Sequence, residues 1–171
     1  MDWVEAVRRK FESVMEFIVI VLMVALATEV MIGVTFRFAG SSLVWYDEVA
    51  SILLAWLTFY GSALAALKRA HIGFPGLVMA LHPRFRVPLA MFTETCVFAF
   101  FLLLGWVGYS VLEVLATDHL VSLPAVSVAW TQSVIPVSSV LFVLAEALSL
   151  PRILAVARGR VDTDAPLEAS H

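Results

Sequence analysis

The chain has 171 residues, of which 61% are hydrophobic and only 15% charged, and its mean hydropathy is +0.95. An ordinary soluble domain is about half apolar and about a quarter charged, so a soluble core of this size is excluded. The apolar residues also fall in long blocks and not in the short alternating runs of a sheet protein. A net charge of −3 with no basic patch excludes nucleic acid as a partner. The single cysteine, Cys96, excludes an internal disulfide or a cysteine-pair relay and, lying in an apolar run, is expected to be buried filler.

The pattern predicts an all-α integral membrane protein with one transmembrane domain, residues 14–150, preceded by a short amphipathic interfacial helix at 1–13. In that first segment Trp3, Val7 and Phe11 recur every four residues, with Arg8, Arg9, Lys10 and Glu12 largely on the other side. Such a helix rests on the membrane surface, its basic residues among the lipid headgroups. Span one, 14–36, is about 34 Å long at the helical rise and crosses the hydrocarbon with modest tilt. Arg8–Lys10 and the apolar run also resemble a signal peptide, with Ala25-Leu26-Ala27 imitating its cleavage site. The apolar run continues past that point, so an uncleaved anchor is expected.

Loop one carries Gly40, Ser41 and Ser42 as turn formers. Trp45, Tyr46, Asp47 and Glu48 then open span two, 49–67, which has no charge until Lys68, Arg69 and His71. Acids at a helix N-terminus suit its dipole. Ser51, Ala55, Ser62 and Ala66 fall near one face and make a groove of small residues on which another helix can pack. Trp56 sits well away from the interfacial belts where tryptophan collects, as a packing anchor would. Loop two ends on Arg84 and Arg86 and holds Pro75 and Pro83 as helix breakers. Span three, 87–116, has Glu94 and Glu113 toward its ends, within reach of headgroups or water. Loop three contains Asp118, His119 and Pro124. Span four, 128–150, is expected to kink at Pro136 and to end at Pro151, leaving 151–171 as a mostly disordered tail.

Basic residues fix an orientation. Arg8, Arg9 and Lys10 precede span one, Lys68, Arg69, Arg84 and Arg86 lie in loop two, and Arg152, Arg158 and Arg160 follow span four, against Arg37 alone at the edge of the opposite loops. The positive-inside rule then puts both termini and loop two in the cytoplasm, with Arg8, Arg9, Lys10, Lys68, Arg69 and His71 as cytoplasmic anchors.

Ionisable groups inside a membrane are costly unless paired or wet. Glu29 is the deep one, about 12 Å of helical rise below Arg37 and too far for direct contact without a bridge, and a structural role or a contact to a partner helix is favoured over an ion path. No cofactor is expected, because the histidines lie in loops or the tail and none is inside a span where haem would need it. A transporter that works alone shows inverted repeats and interrupted helices around a midplane site, and neither is clear here. An auxiliary role is therefore expected. The alternative is a small four-span membrane enzyme, such as a glutathione- or lipid-dependent transferase.

Trp45, the pair Asp47-Glu48, Trp56, Phe59, Gly61 with Ala63 and Ala65, the pair Lys68-Arg69 and His71-Ile72 carry a resemblance. In order and spacing the chain resembles the small membrane subunit, the Q subunit, of tripartite ATP-independent periplasmic (TRAP) transporters over about residues 10 to 155. The resemblance implies a bacterial inner-membrane protein, both termini cytoplasmic, that supports sodium-coupled import of an organic acid. It implies two partners beside membrane lipids: a large multi-span membrane subunit holding the sodium and substrate sites, and a periplasmic substrate-binding protein. Trp45, Asp47, Glu48, Ser51, Ala55, Trp56, Gly61 and Ser62 are the candidate partner interface.

Overall fold

The computed structural model describes residues 2–68 and 83–157. Five helices account for most of them: α1 Asp2–Phe38, α2 Tyr46–Lys68, α3 Pro83–Leu115, α4 Val128–Gln132 and α5 Val134–Ala157. The only β-structure among the described residues is one isolated bridge, His119 to Ser127. Four segments are long and apolar enough to cross a membrane, within Glu5–Phe38, Tyr46–Lys68, Phe85–Leu115 and Val128–Leu150, so the expected four spans are present.

The helices form a row and not a closed bundle. α1 packs on α2, α2 on α5 and α5 on α3, while α1 barely meets α5. α1 and α3 are therefore outer helices with one main neighbour each. Their outward faces carry large apolar side chains such as Phe17, Met31, Phe92 and Trp106. In water such a surface would drive aggregation; against lipid tails it is the expected finish. Cys96 lies on this outward surface of α3, exposed, where the sequence expectation was a buried filler. An apolar context does not separate core from lipid in a chain that has so little interior.

The interior sits toward the Lys68 end of α2. Ala63, Ala66 and Leu67 of α2 meet Phe142 and Ala145 of α5, with Phe11, Val97, Phe101, Leu141 and Leu148 packed around them. Phe101 stacks on Phe142 with ring centroids 3.5 Å apart. Farther along the α3–α5 seam small residues let the backbones close up: a side chain at Gly105 would press on Ser139, and one at Gly108 would overlap Ile135.

Three boundaries differ from the sequence expectation. No break separates residues 2–13 from span one; α1 is one helix of 37 residues, about 55 Å long at the helical rise. Nothing between Phe11 and Glu16 stops a helix, and tertiary contacts hold its first turns: Phe11 joins the interior and Arg8 donates to the Leu67 carbonyl at 3.0 Å. The expected kink at Pro136 is instead a break at Ser133, between α4 and α5. Pro136 then falls in the first turn of α5, where its missing N–H has no intrahelical bond to lose. Finally, α5 runs through Pro151 to Ala157; proline inside a membrane helix is tolerated when neighbours compensate for the freed carbonyl.

Loop geometry follows from backbone bonding. α1 ends in a Schellman-type stop, with Gly40 at φ +79°, Ser41 N–H donating to Phe36 O at 3.1 Å and Gly40 N–H to Arg37 O at 3.2 Å. That conformation requires glycine. Loop three is a small hydrogen-bonded hairpin. Leu120 N–H donates to Val126 O at 3.0 Å and Val128 N–H to Asp118 O at 2.9 Å, with Leu120 buried beneath it.

Candidate functional site: the faces and ends of the second helix

α2 touches both α1 and α5, and it carries most of the residues singled out from the sequence. Its two ends are fastened by charge. At the N-terminal end, Trp45 O accepts the first helical bond from Val49 N–H at 3.1 Å. Glu48 does not cap its own helix; its carboxylate reaches loop three, accepting from Val121 N–H at 3.1 Å, Ser122 N–H at 2.9 Å and the Ser122 hydroxyl. One side chain thus ties the α1–α2 hairpin to the α3–α5 hairpin. Asp47 beside it is exposed, and its backbone carbonyl accepts from Ser51 Oγ at 2.6 Å.

At the opposite end Lys68 bridges to Glu12 at 3.7 Å and to Glu16, both on α1. These are surface ion pairs worth well under about 1 kcal/mol each, and their role is to set register. Together with Arg8 on the Leu67 carbonyl they align the start of α1 with the end of α2. Arg9 and Lys10 point away and are exposed. Arg69 and His71 lie outside the described residues.

In between, Trp56 crosses to the neighbouring hairpin. Its indole N–H donates to Thr131 O at 2.8 Å, and its ring packs 5.1 Å from Trp130 and 6.3 Å from Tyr60 between centroids. Thr131 is the last residue but one of α4, so its carbonyl points into the helix break. Thr131 is buried, where a carbonyl left without a donor costs about 1–3 kcal/mol, and the indole supplies that donor. This gives the tryptophan outside the interfacial belts a physical reason: it is a packing anchor whose partner is in this chain.

The four small residues of α2 lie on one helix face, which is covered only toward the Lys68 end. Ala66 is in the interior with Ala63 and Leu67, Ser62 is half-buried, and Ser51 and Ala55 face outward. Asp47, Ser51, Leu54, Ala55 and Thr58 make a single exposed stripe at helical spacing. The hydroxyls on it are satisfied within the helix, Ser51 on Asp47 O and Thr58 on Leu54 O at 2.8 Å. Gly61 is half-buried with open space where a Cβ would stand.

Among the described residues two acids are buried. Glu29 on α1 and Glu94 on α3 are each 9% exposed; Glu94, expected near headgroups or water, is instead enclosed, because α3 turns it inward one turn from Val97 of the interior. Sequence reasoning also missed the Glu12–Glu16–Lys68 clasp, although the i, i+4 spacing of the two acids was a visible signal. Among the described residues no group of three His, Cys, Asp or Glu side chains could hold a metal ion.

Four apolar helices in a row, tied by carboxylate and indole contacts and exposing apolar faces on both outer helices, define a multi-pass membrane protein. The sequence matches the family model for tripartite ATP-independent periplasmic transporters, DctQ component, over residues 26–155. The chain therefore belongs to that family, the small membrane subunit of TRAP transporters. No curated protein matches it.

Proposed function

We propose that the chain is the scaffold subunit of a sodium-coupled TRAP transporter that imports an organic acid, working in the bacterial inner membrane with a large membrane subunit and a periplasmic substrate-binding protein. The observation that carries this reading is the family match over 26–155 on a fold whose outer helices face outward along their length. Such a row extends the lipid-embedded edge of a larger protein. The spans offer no convergent set of polar groups of the kind that replaces the hydration of a charged solute or of sodium.

Both termini and loop two are cytoplasmic in this reading, following the distribution of Lys and Arg. Reporter fusions at Arg84 and His119 are expected to lie in opposite compartments; a common compartment refutes the orientation. The loop-one and loop-three end is then periplasmic. With Glu48 committed to loop three, exposed Asp47 and the outward stripe Ser51, Ala55 and Thr58 are the part of the rim and span that stays open to partners. Trp45 and Gly61 flank that stripe.

Reconstitution of the purified chain alone, and then with the large subunit and the binding protein, tests the function. Sodium-driven uptake of an organic acid is expected only with all three present. Uptake by this chain alone overturns the reading, as does full uptake by the other two components without it.

A further inference from the structure

Trp106 stands apart from the other tryptophans of the spans. Trp45 immediately precedes α2, and Trp56 and Trp130 pack on each other with the Trp56 N–H on Thr131 O. Trp106 lies nine residues before the end of α3, about 13 Å of helical rise, close to the midplane of a hydrocarbon core about 30 Å thick. Gly105 and Gly108 on either side of it are turned toward α5, where a Cβ would meet Ser139 and Ile135. Trp106 therefore points away from the row, and it is 76% exposed. Among the described residues nothing accepts from its indole N–H. At the other end of the row, the outward face of α1 is built from residues such as Phe17, Val24 and Met31, which have no side-chain donor to satisfy.

Lipid tails supply no acceptor, so they cover the α1 edge without loss but leave the indole on the α3 edge unsatisfied. A second copy of the chain does not supply one either. Two copies inserted in the same orientation and related by a two-fold axis along the membrane normal bring α3 against α3 at matching depth, and residues 97–108 contain no side chain with an oxygen or nitrogen acceptor. What satisfies Trp106 is a different membrane protein.

We propose that α3 is the edge on which the large membrane subunit docks, with Trp106 as the anchor and its indole N–H donated to a side-chain oxygen of that subunit or to a carbonyl freed at a helix break. This rests on the reading that the chain works with such a subunit. Trp56 makes the same kind of contact inside the chain, on a carbonyl at the α4–α5 break. A tryptophan brings large contact area together with one donor, the combination that dominates protein interfaces. Because Trp106 touches little of its own chain, its contribution falls on assembly and not on the stability of the isolated subunit.

Co-expression of the chain with its large subunit, using wild type, Trp106→Ala, Trp106→Phe and Phe17→Ala, tests this by co-purification, with thermal melting and molecular mass of each isolated chain measured alongside in detergent. Trp106→Ala is expected to recover about thirtyfold less large subunit. Trp106→Phe keeps a ring but no donor and is expected to recover about fivefold less. Phe17→Ala, a comparable truncation on the α1 edge, is expected to recover as much as wild type, and both isolated Trp106 variants to melt within about 2 °C of it. Full recovery by Trp106→Ala overturns the proposal, as does an equal loss from Phe17→Ala or a lowered melting temperature of the isolated Trp106→Ala chain. A dimer of the isolated wild-type chain that Trp106→Ala dissociates assigns the edge to a second copy and overturns it too. A wild-type chain that fails to bring down the large subunit overturns the subunit reading and the contact with it.

Discussion

Gly33→Leu is expected to separate α1 from α2 at the loop-one end. A Cβ at Gly33 would stand 2.1 Å from the Tyr46 ring atoms Cδ2 and Cε2 and 2.7 Å from Cγ, far inside van der Waals contact. Tyr46 is the first residue of α2, so its ring cannot withdraw without carrying the start of that helix or abandoning the seam. Overpacking of this kind costs about 1–3 kcal/mol and sometimes more. The loss falls on the α1–α2 seam, the main contact that α1 makes in this chain. Thermal melting in detergent is expected to show a drop of several degrees, and Gly33→Ala a smaller drop in the same direction. A double variant, Gly33→Ala with Tyr46→Ala, is expected to recover part of the loss, because the ring that clashes is gone. Unchanged melting of Gly33→Leu would mean that the seam is not closed there.

Trp56→Phe is expected to cost about 1–3 kcal/mol, the penalty for stranding a buried acceptor. The phenyl ring keeps much of the packing against Trp130 and Tyr60 but has no donor for Thr131 O. Trp56→Ala removes the packing as well, and a large aromatic truncated to alanine costs about 3–5 kcal/mol where it is well enclosed; with Trp56 only half-buried, the lower end is expected. Because the acceptor sits at the α4–α5 break, the damage should concentrate there. Amide exchange in Val128–Val137 is expected to accelerate more than exchange in the Ala63–Leu67 interior. Uniform acceleration, or none, contradicts a specific role at the break.

The sequence by itself determined the spans, their order and the family. Hydropathy over some twenty residues has no competing solution in a chain this apolar, and the membrane fixes helix as the only form in which an open segment satisfies its own backbone. The turn at Gly40 and the acids opening α2 were legible for the same local reason. What only the tertiary structure decided was which surfaces meet. Helices in lipid lack a hydrophobic gradient to mark an inner face, so apolar patterning left Cys96 and the stripe of Ser51 and Ala55 ambiguous between core, lipid and partner. Long-range bonds were equally hidden: Glu48 to loop three, Trp56 to Thr131 and Lys68 to Glu12 and Glu16 join residues far apart in sequence. Each depends on the α1–α2–α5–α3 order of the row. The continuity of α1 through Phe11 and the break at Ser133 came from the same source, since backbone groups freed or ordered at those points are stabilised by neighbours that no local window contains.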